Sequence, residues 1–235
     1  MLVDYIQQRQ KMLEESNNFY TPSGIHVFTK DAMMNDLVDL DTVISNLEAK
    51  LPDHIRDGVE MIIIGRFDEF EERGINAFYK DGALYVSNIQ SDNEDLLDDL
   101  VHETAHSVEE QYGMEIYADQ EIKDEFLRKR MHLYNILWKM GFKAPREMFL
   151  DTEYDQEFDE FLVDDVGYDK MSEILKGIMI TPYAATSLRE YFATGFTEFY
   201  LYPDSHGYIQ KTSPELYKKL VQLHKLGDVS HPPRS

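Results

Sequence analysis

The chain has 235 residues, of which 43% are hydrophobic, and this length and composition predict one sizeable domain with its own core. It contains no cysteine, which excludes disulfides, thiolate zinc sites, iron-sulfur clusters and a cysteine nucleophile. A formal net charge of -22 would repel a phosphate backbone, so we expect no nucleic-acid binding and favour a basic protein or peptide as partner.

The N-terminal segment has no cationic start followed by an apolar run, and no apolar stretch reaches the roughly 18 residues of a membrane span. We therefore expect no membrane association and no secretory signal in this chain. These features favour a location in the cytoplasm or in a larger particle, and secretion stays open if a leader has been removed.

The N-terminal part of the chain combines predicted helices and strands. Apolar residues at helical spacing predict an opening helix that ends at the polar residues 16–18. A short strand over 25–28 and a helix over 37–51 follow. The mostly β-branched run at 59–64 predicts a buried strand at the centre of the sheet.

A hairpin and a capped helix come next. Residues 77–79 and 83–86 flank an Asp-Gly pair, which favours the positive φ values of a tight hairpin turn. Ser91 and Glu94 match a capping box, because their side chains stand three residues apart before an apolar run. The apolar residues that follow keep helical spacing as far as Val108 and predict a long amphipathic helix.

From residue 114 onward the pattern is mostly helical, and the final residues, 228–235, predict a flexible tail. Neither an internal repeat nor a domain linker interrupts this part. The predicted helices cover 117–141, 155–165, 168–179, 187–201 and 213–226.

The predicted long helix contains an HExxH motif, residues 102–106. His102 and His106 stand four residues apart, so they project from one helix face about 6 Å apart along the axis, a span that one zinc ion can bridge. Glu103 beside them could take a proton from a water whose pKa the metal lowers to about 7. The motif therefore predicts one Zn²⁺ per chain and Glu103 as general base, although both histidines could also be ordinary helix residues.

A catalytic zinc site needs a third protein ligand if water is to occupy the fourth position. No histidine stands six residues after His106, which excludes the HExxHxxGxxH arrangement. The best candidate by residue type is Glu190, near the start of an aromatic-rich predicted helix that Ser187 can cap. Spacing alone leaves other ligands open, and Glu190 could instead only satisfy the cap of its own helix.

The HETAH motif at 102–106 and the Glu-Tyr-Phe-Ala-Thr-Gly-Phe run at 190–196 together resemble the catalytic domain of the anthrax lethal factor family. The smaller relatives in that family include the clostridial Pro-Pro endopeptidases. The resemblance covers about residues 60–225, and these short segments carry most of it. It implies that Glu190 is the third zinc ligand and that Tyr183, seven residues earlier, stabilises the oxyanion of the transition state.

The resemblance also implies a substrate site and shows two departures. Relatives bind substrate along the edge strand before the active helix, where this chain has Leu84, Tyr85 and Val86, although these could equally be ordinary sheet residues. Thr194 stands where the family often has a second acidic residue, which weakens the expected support of the metal. A longer connection points to an insertion within 115–178 that could shape substrate access.

Taken together, the sequence predicts a single α+β domain with a zincin-like fold. It would contain a small mixed sheet, the HExxH helix and a mainly helical C-terminal half. A helix and strand part covers 1–90, a helical catalytic part covers 91–227, and the tail covers 228–235.

The predicted function is that of a zinc-dependent endopeptidase of the gluzincin type. Two alternatives belong to other classes of protein. One keeps the fold without the activity, as an interaction or structural module in a larger assembly such as a virus particle. The other is an acidic helical partner-binding protein without metal, which explains the charge but leaves the motif to coincidence.

Overall fold

The computed structural model of the chain describes residues 18–230, with side chains through residue 227. The protein belongs to the α+β class, with a small mixed sheet and a mainly helical C-terminal half, as predicted. It divides into two compact units, Met1–Val108 and Glu109–Ser235. The predicted opening helix lies outside the described residues, and the single domain stays a prediction.

Five strands form the sheet of the first unit. Their order is β1-β2-β3-β5-β4, in which β2, β3 and β5 are parallel and the two outer strands pair antiparallel. The run that predicted a central buried strand forms β3, where Ile62 and Ile64 have no exposed surface, so this prediction is confirmed. The strands are β1 (Asn18–Tyr20), β2 (His26–Thr29), β3 (Met61–Gly65), β4 (Ala77–Lys80) and β5 (Ala83–Ser87).

The predicted hairpin joins β4 and β5. Asp81 and Gly82 in its turn have φ values of 49° and 81°, the positive region that an Asp-Gly pair adopts readily. The assignment of an edge position to Leu84, Tyr85 and Val86 is wrong. These residues lie in β5, whose backbone pairs with β3 on one side and β4 on the other, so no substrate strand can be added there.

Within the described residues, the first unit also contains four helical segments. Alternate residues of the three inner strands share one apolar sheet face, and these side chains have no exposed surface: Val27, Ile62, Ile64, Leu84 and Val86. Asp39 caps α1 by accepting hydrogen bonds from the backbone N–H of Thr42 at 3.4 Å and from its hydroxyl at 2.7 Å, so the helix begins later than predicted. The helices are α1 (Leu40–Lys50), α2 (Asp53–Arg56), α3 (Asp68–Arg73) and the first part of α4 (Asn93–Tyr117).

Helices make up nearly all of the second unit. The predicted helix over 117–141 is present as α5 (Glu121–Met140), which begins later than predicted because α4 continues to Tyr117 and Gln120, with φ of 64°, precedes α5. After α5 come α6 (Gln156–Glu160), a π-helix (Phe161–Gly167), α7 (Tyr168–Leu175), α8 (Leu188–Leu201), α9 (His206–Thr212) and α10 (Pro214–Ser230). Because α10 continues to Ser230, the predicted tail begins later than residue 228, and residues 231–235 lie outside the description.

The core of the second unit is organised around a buried cation, Arg130. Its guanidinium donates to the backbone carbonyls of Met148, Asp151 and Thr186 and lies 4.0 Å from the ring centre of Phe158. Arg130 therefore joins α5 and the segment around residues 148–151 to Thr186, which lies just before α8. Among residues 18–230, no helix is long and apolar enough to cross a membrane.

Candidate metal centre

The helix that carries the HExxH motif, α4, begins at an acidic cap. Asp92 accepts hydrogen bonds from the backbone N–H groups of Glu94 at 2.9 Å and Asp95 at 3.0 Å. The carboxylate of Asp95 in turn accepts the N–H of Ser91 at 2.9 Å. The capping box predicted for Ser91 and Glu94 is therefore shifted by one residue. An aspartate at this position satisfies the free amides and also interacts favourably with the helix dipole.

His102 and His106 lie on one face of α4, as the spacing predicts. Their ring centres are 5.3 Å apart and the ring planes make an angle of 81°. Both side chains are half-buried, whereas Glu103 between them is 8% exposed. This combination leaves imidazole nitrogens accessible to an ion while the carboxylate lies in a drier environment.

Among the residues that the structure describes, one group of three side chains could hold a metal ion. One ligand atom each from His102, His106 and Glu190 lies within 4.8 Å of the other two. Bonds from zinc to nitrogen or oxygen are about 2.0–2.2 Å long, so the atoms are close enough for small side-chain rotations to complete a site. Two imidazoles and one carboxylate are the donors of a catalytic zinc site with an open position, so the group fits zinc.

Glu190 stands in the first turn of α8. Ser187 caps this helix as predicted, since its hydroxyl accepts the backbone N–H of Glu190 at 3.1 Å. The Glu190 side chain itself is half-buried, and the residues after it, from Tyr191 to Phe196, are all buried. The buried part of α8 thus fixes the helix, while its first turn presents a carboxylate at the surface of the core.

Tyr183 lies in a short 3-10 turn, Tyr183–Ala185, just before α8. Its backbone carbonyl accepts both the N–H of Thr186 at 3.0 Å and the Thr186 hydroxyl at 2.8 Å. Tyr183 is 41% exposed and lines a small apolar pocket of about 40 Å³ together with Leu162 and Met171. The turn fixes its backbone, and its role at an oxyanion stays a prediction.

Three carboxylates follow one another along α4, a feature that was not recognised from the sequence. Asp95, Asp99 and Glu103 repeat every four residues, which places them on one helix face. Burial raises the pKa of Asp99 to about 6, although a 2.9 Å hydrogen bond from the Gln90 amide opposes this. The negative charges of Asp95 and Glu103 raise the pKa of Asp99 further.

A second set of residues was also missed, and one of its members, Arg189, directly precedes Glu190 in sequence. The carboxylate of Glu109 accepts hydrogen bonds from the hydroxyl of Tyr117 and from Nε of Arg189, the latter at 3.1 Å. Glu109 follows His106 by three residues, so its position near the motif was the available signal. Thr194, where the family often has an acid, is buried in α8.

The chain was compared with protein-family models, with curated proteins and with solved structures, and none of the three comparisons gives a match. The interpretation of the site therefore depends on the residues and their geometry.

Proposed function

We propose that this protein is a zinc-dependent endopeptidase with a zincin-like fold, in which His102, His106 and Glu190 hold the ion. The observation that carries the proposal is the convergence of these three side chains within 4.8 Å, with Glu103 next to His102 in the same helix. When bound, zinc supplies a Lewis acid that polarises the scissile carbonyl and lowers the pKa of a coordinated water to about 7.

Glu103 acts as the general base in this proposal. Its carboxylate accepts a proton from the attacking water while the oxygen forms a bond to the carbonyl carbon of the substrate. The same carboxyl group then gives the proton to the amine nitrogen as the carbon-nitrogen bond breaks. Burial of Glu103 favours this role, since few water molecules other than the attacking one can reach its carboxylate.

Tyr183 would donate its phenol proton in a hydrogen bond to the oxyanion that develops on the carbonyl oxygen. Its partly exposed side chain leaves the ring accessible to a bound peptide. The net charge of -22 favours basic peptides as substrates, because opposite charge raises the rate of encounter.

The test combines metal content with cleavage. Protein purified without added zinc is analysed by mass spectrometry for metal and is then incubated with a library of peptides, half of them rich in lysine and arginine. The Glu103→Gln variant is the matched control, because it keeps the size of the side chain and all three ligands but cannot accept the proton.

We expect about one zinc per chain in both proteins, and cleavage by the wild type alone. Zinc binding without any cleavage would instead favour a structural or interaction module with a zincin-like fold. Protein that binds no zinc, even when the metal is supplied, would favour the metal-free acidic partner-binding protein.

A further inference from the structure

Glu109 is a buried carboxylate with both oxygens engaged. Its side chain is 5% exposed; Oε1 accepts the hydroxyl of Tyr117, and Oε2 accepts Nε of Arg189 at 3.1 Å. A charge that is taken out of water is tolerated only when its partners replace the lost hydration. Glu109 therefore depends on two specific hydrogen-bond donors, and its carboxylate in turn fixes the orientation of each donor.

The two donors lie on different elements of the second unit. Tyr117 is the last residue of α4, and α4 is kinked between Glu109 and Tyr117, with φ of -117° and ψ of 22° at Tyr112. The hydrogen bond from Tyr117 therefore spans the kink and fixes the end of the helix. Arg189 belongs to the first turn of α8, so its bond attaches that turn to the same carboxylate.

Arg189 and Glu109 form an ion pair in which Nε of Arg189 lies 3.1 Å from Oε2 of Glu109. Burial, together with the charge of Glu109, raises the pKa of Tyr117, which therefore stays a neutral donor. The side chain of Arg189 is 58% exposed, whereas that of Glu109 is 5% exposed, so the pair lies at the edge of the core.

Glu190 lies between two anchored neighbours. Arg189 on one side is bound to Glu109, and Tyr191 on the other side donates its hydroxyl to the buried carboxylate of Glu125 at 2.8 Å. These two bonds fix the rotation and the position of the first turn of α8. A metal ligand benefits from such support, because groups that orient a ligand typically change metal affinity by about 10- to 100-fold when they are removed.

We propose that Glu109, acting through Arg189, is a positioning residue that holds the Glu190 carboxylate in place for metal binding. The proposal rests on the proposed function, since it requires Glu190 to be a metal ligand. In this proposal, the helix that carries both histidines also carries an acidic residue, Glu109, that supports the third ligand. Thr194 has no carboxylate and cannot give this support.

The experiment measures metal binding in the full chain, without reference to cleavage. Zinc affinity is determined by competition with a chromophoric chelator for wild type, Glu109→Gln, Arg189→Ala and the double variant. The visible spectrum of the protein saturated with Co²⁺ is recorded for each, because its bands report the coordination geometry. The matched controls are Glu110→Gln, which removes an exposed charge from the next position, and Tyr117→Phe, which removes the other bond to the same carboxylate.

We expect Glu109→Gln and Arg189→Ala each to weaken zinc affinity by roughly 10- to 100-fold and to shift the Co²⁺ bands. The double variant should bind about as weakly as the worse single variant, because both changes break one interaction. Glu110→Gln should stay within about twofold of the wild type, and Tyr117→Phe should leave the Co²⁺ bands unchanged because Arg189 keeps its partner. Should Glu109→Gln fail to fold, the exposed side chain of Arg189 still permits the test through Arg189→Ala.

Zinc affinity within about threefold of the wild type in Arg189→Ala, with unchanged Co²⁺ bands, would overturn the positioning role. A Glu190→Ala variant separates this result from a failure of the proposed function. If that variant keeps the full affinity, Glu190 is no ligand and both proposals fail, whereas if it loses affinity only the role of Glu109 is rejected.

Discussion

The hydroxyl of Tyr191 donates a hydrogen bond of 2.8 Å to the carboxylate of Glu125, and both side chains are buried. The same carboxylate accepts the backbone N–H groups of Glu215 at 3.0 Å and Leu216 at 3.3 Å, at the start of α10. Glu125, a single side chain of α5, thus accepts hydrogen bonds from two groups of donors. One is the pair of backbone amides that the first turn of α10 leaves free, and the other is the phenol of Tyr191 in α8.

We expect Glu125→Ala to destabilise the protein by about 3 kcal/mol, because the change leaves a buried hydroxyl and two amides without their acceptor. The control is Glu121→Ala on the same helix, which removes only a partly exposed ion pair with Lys218 and should cost less than about 1 kcal/mol. Urea unfolding followed by circular dichroism measures both. Equal losses in the two variants would contradict a special role for Glu125.

Removal of either histidine should abolish zinc binding. His102→Ala and His106→Ala each leave two of three ligands, which is too few to retain the ion against a competing chelator. His132→Ala, which changes a histidine outside the group, is the control and should keep about one zinc per chain. Imidazole binds metal only when neutral, so we also expect wild-type affinity to weaken as the solution is acidified. Full zinc occupancy in both variants would refute the site.

Tyr183→Phe removes one hydroxyl and little volume. Loss of a single donor to an oxyanion costs about 2.7 to 4 kcal/mol, so we expect turnover to fall roughly 100- to 1,000-fold at unchanged zinc content. The Michaelis constant should change much less, because the ground-state carbonyl does not occupy the oxyanion position. Steady-state kinetics on a cleaved peptide measure both, and turnover within about threefold of wild type would leave Tyr183 a packing residue.

Asp99→Asn should stabilise the protein at neutral pH. Because burial raises the pKa of Asp99 from 3.8 to about 6, the folded state holds this proton more tightly than the unfolded state. The group therefore costs little well below pH 3.8, where both states are protonated, and its cost grows to about 3 kcal/mol as pH rises through 3.8 to 6.

Asparagine keeps an acceptor for Gln90 but cannot ionise, so the variant should gain stability over wild type between pH 4 and pH 6. Urea unfolding in the presence of a chelator, at pH 4, 5, 6 and 7, measures the difference without a contribution from metal. Glu94→Gln, at an exposed position of the same helix, is the control. A constant difference between variant and wild type across this range would argue against the raised pKa.

Local sequence patterns predicted the helices and strands of this fold better than they predicted which strands pair with each other. The β-branched run of β3 and the Asp-Gly turn between β4 and β5 are short-range signals, and both are confirmed. The inner position of β5 was missed because the partner of a strand depends on residues far away in the sequence. The three-residue strand β1 was missed because it is too short to show a period.

In the candidate site, too, short-range relationships were easier to predict from the sequence than long-range ones. The spacing of His102 and His106 is a property of one helix, so it could be read directly. Glu190, 84 positions later than His106, was the best candidate by residue type, and the resemblance favoured it over the alternatives; it is in the group that the structure brings together. The bond between Glu109 and Arg189 could not be predicted, since a glutamate after an HExxH motif is usually an ordinary helix residue.

The close packing of α8 against α10 explains part of the sequence run that carries the resemblance. A side-chain carbon added at Gly195 would come within 2.3 Å of Leu216, which is fully buried, so the two helices can approach this closely only at a glycine. Phe192 and Phe196 are likewise buried. Most residues of the run at 190–196 are therefore explained by the packing of helices, and Glu190 is the one that belongs to the proposed metal site. A chain could thus match nearly the whole run at 190–196 and still bind no metal.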